Sequence, residues 1–171
     1  MSDYREIVLK CKVPGGIIVA NNNCRMTTQA SDIPVYSIGT AARMLNVSVQ
    51  TLRLYESEGL LAPYKTKGRQ RLYSDADIER IACIRKAINE EKISIAGIKR
   101  IYAMMPCWEI IRCAEQDRLV CPAYKGHSGG CWTYRHTLTV CATKECRLCD
   151  VYKRASDCGK IKEAIACRVT I

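Results

Sequence analysis

Apolar residues recur along the middle of the chain at helical spacing. Ala41, Ala42 and Leu45 form one such group, and Leu52 and Tyr55 fall three apart in the next. Ile78, Ile81, Ile84 and Ile88 form a third stripe, and Ile95, Ile98, Ile101 and Met105 a fourth. The first set supplies the inner face of its helix, and the third and fourth stripes read as core. Polar punctuation separates the stripes. Ser37 is an N-cap for a helix to about Leu45, since its hydroxyl can accept an unpaired first-turn N–H. Asn46 can leave that helix left-handed. Ser48 caps the next helix, through about Glu58, and Gly59 stops it. Two short helices with a tight link make a helix-turn-helix. Leu60 to Tyr73, with Pro63, Gly68 and four basic residues, reads as a short basic hairpin, or wing. Ser74 and Asp77 give a capping-box-like S-x-x-D start to the third helix, and the fourth starts near Ser94.

The flanks are less regular. In residues 1–34, Ile7 to Leu9 and Ile17 to Ala20 read as short strands about a Gly15-Gly16 turn, and Asn21 to Asn23 break the pattern. Met26 offers an alternative start, so the first 25 residues are either a real appendage or a start-site artefact. Beyond Pro106 no long periodic pattern continues, although Lys160 to Ala166 could form a closing helical stretch. Cysteine usage divides the chain: nine of the twelve lie between Cys107 and Cys167. The expected organisation is an extension (1–34), a winged helix-turn-helix domain (35–106) and a small irregular cysteine-rich metal-binding domain (107–171). The fold class is mainly α with small β.

Charge narrows the partner. A formal net charge of +10 suits a polyanion, because each cation that neutralises a phosphate releases a condensed counterion. No apolar run is long enough to cross a bilayer, and the start lacks a long apolar stretch. The expectation is a cytoplasmic protein without membrane contact. In that reducing compartment, clustered cysteines more often bind metal or do redox work than form disulfides.

From Cys107 the spacing is C-x5-C-x7-C-x9-C-x9-C-x4-C-x2-C, through Cys113, Cys121, Cys131, Cys141, Cys146 and Cys149. The last three repeat the C-x4-C-x2-C spacing that supplies three of four ligands to plant-type iron–sulfur clusters. Cys131, Cys121 or Cys113 could supply the fourth. Zinc is the alternative, with Cys146 and Cys149 as one half-site and Cys121 and Cys131 as the other. His127 and His136 could substitute. Seven cysteines exceed one four-ligand site by three, which allows two centres or one centre plus redox-active thiols. Cys83 sits on an apolar helix and reads as a small hydrophobe.

Three stretches resemble the MerR family of bacterial transcriptional regulators: YSIGTAARMLNVSVQTLRLYESEGLL, PYKTKGRQRLYS and SDADIERIACIRKAINEEKISIAGIKRI. Within that family, TLR-YE, GLL-P, RLYS-DI and AGIKRI look closest to the short branch of heat-shock and glutamine-synthetase repressors. The resemblance implies that the helix Val49 to Glu58 enters the major groove, with Gln50, Thr51, Arg53 and Tyr55 at the DNA. In the wing, Lys65, Lys67, Arg69, Gln70 and Arg71 would meet phosphates, with Tyr73 behind them or on the backbone. Structural alternatives stand beside these roles: Tyr55 and Tyr73 as core aromatics, and Arg53 as a partner of Glu56 or Glu58. The family's long dimerisation helix has little room here, because Pro106 to Val120 is short and carries cysteines. The tail also resembles a cysteine-rich module with two Cys-Trp pairs, here Cys107-Trp108 and Cys131-Trp132. The combined expectation is not an enzyme. It is a homodimeric regulator on double-stranded promoter DNA, reaching RNA polymerase indirectly, whose tail binds an iron–sulfur cluster and senses redox or metal state. The alternative is a regulator whose zinc-stapled tail is purely structural.

Overall fold

The computed structural model describes residues 10–13, 16–19, 30–156 and 161. An antiparallel hairpin pairs β1 (Lys10–Val13) with β2 (Gly16–Val19), Lys10 opposite Val19. The expected first strand, Ile7 to Leu9, lies outside the described residues, as do Asn21 to Asn23, Met26, Cys24, Cys158, Cys167 and all of Lys160 to Ala166 except Ile161.

The central elements follow the punctuation. Helix α1 (Ile38–Met44) begins where the Ser37 hydroxyl accepts from the Thr40 N–H at 3.2 Å. It ends through Leu45 into Asn46, whose φ is +50°. Helix α2 (Val49–Ser57) begins at Ser48, whose hydroxyl accepts from the Thr51 N–H at 3.0 Å. Gly59, with φ +74°, turns the chain out of it, a conformation that costs a side-chain-bearing residue about 1–2 kcal/mol. The wing is β4 (Tyr64–Lys65) against β5 (Arg71–Tyr73). A third strand, β3 (Tyr36–Ser37), pairs with β5 on its other side, giving the order β3-β5-β4. Two residues are too few to show an alternation, so the sequence carried no signal for β3.

Helix α3 (Asp75–Asn89) opens on a complete capping box: Asp77 N–H donates to the Ser74 hydroxyl, and Ser74 N–H donates to the Asp77 carboxylate. Helix α4 (Ile95–Ala103) is capped by Ser94. The tail follows as short pieces: α5 (Cys107–Ile110), α6 (Glu115–Val120), α7 (Pro122–Lys125), 3-10 turns at Cys131–Thr133 and Cys146–Leu148, and α8 (Asp150–Arg154). No described helix is long and apolar enough to cross a membrane.

One core serves both segments. Ala41, Leu52, Leu60, Ile81, Ile84 and Ile98 form it together with Cys149, Val151, Ala155 and Ile161 of the tail. The N-terminal side joins as well. Asp32, nearly buried, receives the Lys153 ammonium at 2.6 Å, and its carbonyl accepts from Arg147 at 3.0 Å.

Candidate functional site

Helix α2 and the wing present one polar surface. Gln50 and Arg53 are exposed on α2, and Lys67, Arg69 and Gln70 are exposed at the wing tip. The tip is a closed turn: Arg69 N–H donates to the Thr66 carbonyl at 2.9 Å, and Gln70 N–H to the Thr66 hydroxyl at 3.1 Å. Arg69 takes φ +62° there, and its side chain is exposed. Thr51 is half-buried with its hydroxyl on that of Ser48 at 2.9 Å, a capping position on the same turn of helix.

Tyr55 and Tyr73, expected near the DNA or as core aromatics, both lie in the core. Tyr55 is 6% exposed and Tyr73 is fully buried. Both rings stand on the inner faces of α2 and β5. Burial pushes the Tyr73 phenol up to about 12.

Lys65 and Arg71 do a different task from the tip residues. The Lys65 ammonium lies 2.7 Å from the Glu56 carboxylate, and Arg71 Nε donates to the other Glu56 oxygen. One α2 carboxylate thus ties down both wing strands. Burial alone would raise the Glu56 carboxyl, but the hydrogen bonds and charges of Arg71 and Lys65 outweigh it and hold it below its ordinary value. Glu58 pairs with Lys99 at 3.0 Å. Both carboxylates that Arg53 could have joined are therefore engaged elsewhere, and Arg53 remains exposed.

The seven tail cysteines gather on a single cavity. Cys107, Cys113, Cys121, Cys131, Cys141, Cys146 and Cys149 all line it, with Trp108, Trp132 and His136. Sequence separations of up to 42 residues collapse because α5 (Cys107), the α6–α7 junction (Cys121) and the two 3-10 turns (Cys131 and Cys146) each bring a cysteine to it. Within it Cys107 perturbs the ionisation of Cys131, and Cys113 feels Cys107, Cys121 and Cys141. The neighbouring Cys107, with burial behind it, raises the Cys131 thiol far above its ordinary value, and burial pushes Cys141 up to about 12. Burial likewise raises Cys113, Cys146 and Cys149. The imidazole of His136 bridges two of these positions: Nε2 faces the Cys131 carbonyl at 2.9 Å, and Nδ1 faces Cys121 Sγ at 3.8 Å. His127 is exposed and does not line the cavity. Among the described residues, no three His, Cys, Asp or Glu side chains stand assembled as a metal site. The donor types, thiols and one imidazole, are those that suit a soft ion, although coordination would require the thiols to lose their protons.

Sequence reasoning missed Arg80. It is 1% exposed, and its guanidinium lies over the rings of Tyr152 (3.8 Å), Trp132 (4.9 Å) and Tyr102 (5.1 Å). Trp132 itself packs edge-on against Tyr102 and Tyr152. The signal was present: Asp77, Arg80, Ile81 and Ile84 share one helical face, so an arginine in that stripe must find buried acceptors.

The architecture so far is a winged helix-turn-helix. Residues 36–104 match the family model described as the MerR HTH family regulatory protein. A MerR-type helix-turn-helix domain is therefore present in this part of the chain. The same region is 46% identical over 70 residues to a heat-shock-type protein, HspR, of Streptomyces coelicolor, covering 41% of this chain and 46% of that one. It is similar to the HTH-type transcriptional regulator GlnR of Bacillus anthracis, at 32% identity over 71 residues, 42% of this chain and 54% of that one. The HTH-type transcriptional regulator ZntR of Escherichia coli is 30% identical over 87 residues, 50% of this chain and 61% of that one. The chain thus spans about half the length of the curated relatives it matches.

Proposed function

We propose that the chain is a promoter-binding transcriptional regulator whose cysteine-lined tail holds a sulfur-ligated centre and reports redox or metal state. The observation that carries the DNA-binding half is the braced surface of α2 and wing, with Gln50, Arg53, Lys67, Arg69 and Gln70 exposed together. The α2 residues suit base edges and the wing cations suit phosphates, the division by which phosphate contacts set register and base contacts set sequence. Lys65 and Arg71 shape that surface through Glu56. A homodimer on a two-fold site is the arrangement this module serves best, acting in the cytoplasm and on RNA polymerase indirectly.

The sensing half is supported by seven thiols on one cavity. Thiolates are the ligands of iron–sulfur clusters, and such a cluster would supply a reversible change of charge beside the DNA-binding domain. Cys141, Cys146 and Cys149, with one of Cys131, Cys121 or Cys113, are the residues that would hold it. A second reading, a zinc-stapled tail without redox sensing, is favoured by His136. A histidine that donates one ring nitrogen to a backbone carbonyl has its other nitrogen fixed for a metal, and the Cys131 carbonyl and Cys121 are placed for that.

Anaerobic purification followed by elemental analysis and an absorption spectrum separates the two. Iron and sulfide with absorbance near about 400 nm that bleaches in air supports the cluster. Colourless protein with stoichiometric zinc supports the staple. Protein with neither metal refutes a resident centre in the tail.

A further inference from the structure

The chain between Gly59 and Ala62 leaves α2 and enters the wing, so it sets the angle between the two parts of the duplex-binding surface. The tail holds this turn by its backbone. The Gly59 carbonyl accepts from Trp132 Nε1 at 2.8 Å, and the Ala62 N–H donates to the Tyr152 hydroxyl at 2.9 Å. Between them, the Leu60 carbonyl accepts from Arg80 Nε at 2.9 Å, and Arg80 Nη1 donates to the Tyr152 carbonyl at 2.7 Å. Leu60 and Leu61 are buried beneath. The approach is close, since a Cβ on Gly59 would lie 2.5 Å from Thr133 Cγ2.

Both tail anchors are joined to the thiol cavity by short tethers. Trp132 directly follows Cys131, and Tyr152 stands three residues after Cys149 in α8, whose N-cap is Cys149 itself. Both rings also line that cavity.

We propose that Trp132 and Tyr152 are positioning residues for DNA binding: through Gly59 and Ala62 they fix the wing relative to α2 so that both meet one duplex. This rests on the duplex-binding reading above. The thiol-bearing tail is then part of the DNA-binding unit, and any rearrangement at Cys131 or Cys149 reaches the wing through one side chain.

The test uses the full chain and a duplex that the wild-type chain selects from a pool of random sequences. Affinity is measured against salt for wild type, Trp132→Phe and Tyr152→Phe, each substitution removing one polar group and keeping a ring. Tyr134→Phe is the control, because among the described residues its hydroxyl bonds within the tail, at Ser128. Each phosphate contact contributes about 0.9 to the log–log salt slope. A wing that no longer reaches the backbone therefore makes the slope shallower by about one to two, whereas partial unfolding lowers affinity at unchanged slope. The expected result is a shallower slope and about tenfold weaker binding for Trp132→Phe and Tyr152→Phe, with Tyr134→Phe like wild type. Wild-type slopes in both anchor variants would overturn the proposal. If wild-type chain selects no duplex at all, the duplex-binding reading itself fails.

Discussion

Arg80 shows how much one side chain can decide. Its Nε and Nη1 donate to the Leu60 and Tyr152 carbonyls, while Nη2 has no hydrogen-bond partner among the described residues. Tyr102, Trp132 and Tyr152 surround the planar cation, and a desolvated cation over aromatic faces gains up to about 2 kcal/mol. A lysine offers a point charge without the fork, so it cannot serve both carbonyls and lie flat on the rings. Arg80→Lys should therefore lose about 1–3 kcal/mol of stability, the cost of a stranded buried acceptor, in a denaturant titration of the full chain. An unchanged midpoint would mean that the ring cage, not the bidentate bonding, holds the two segments together. The caps belong to the same scale and were legible: Ser37, Ser48, Ser74 and Ser94 each begin the helix that its position promised. A cap is a local bargain between a hydroxyl and the next turn's N–H, so sequence suffices to find it. Arg80 needed partners 20 and 72 residues away.

At the scale of elements, the wing depends on α2. Glu56 gathers Lys65 and Arg71 and keeps the hairpin at one angle. The basic residues of Leu60 to Tyr73 thus divide into a pair tied to Glu56, Lys65 and Arg71, of which Lys65 is still exposed, and an exposed pair, Lys67 and Arg69, at the tip. That division could not be read from the chain, because a run of lysine and arginine looks alike whether it faces a carboxylate or solvent. Nor could the inward turn of Tyr55 and Tyr73, since aromatic residues suit both core and surface contact. The brace has a pH signature. The folded Glu56 carboxyl is held below its ordinary value of 4.5, so its contribution is fully present above that pH and is lost as pH falls through the folded value. Glu56→Gln should lower the melting temperature near about pH 7, and the difference should shrink progressively as the pH falls below the ordinary carboxyl value. A constant difference across that range would show that shape, not charge, sets the brace.

At the scale of the whole molecule, the tail shares its core with the helix-turn-helix. Cys149, Val151 and Ala155 sit with Leu52, Leu60 and Ile81, and Asp32 closes the other side through Lys153. Sequence showed where the cysteines crowd, and the fold brings seven of them to one cavity beside His136. It did not show that the tail would lie against the start of the wing, because Trp132 and Tyr152 reach their partners only after both segments have folded. On the outer face, α2 and the wing tip expose Arg53, Lys67 and Arg69, cations of a chain with net charge +10. The most direct measurement is the salt dependence of binding to a wild-type-selected duplex, compared with the triple variant Arg53→Ala, Lys67→Ala, Arg69→Ala. Wild-type affinity should fall steeply with salt, and the variant's log–log slope should be shallower by about 1.8 per chain, from two wing contacts at about 0.9 each, with the loss of Arg53 weakening binding further. Equal slopes, with both proteins folded, would contradict the assignment of this surface to DNA.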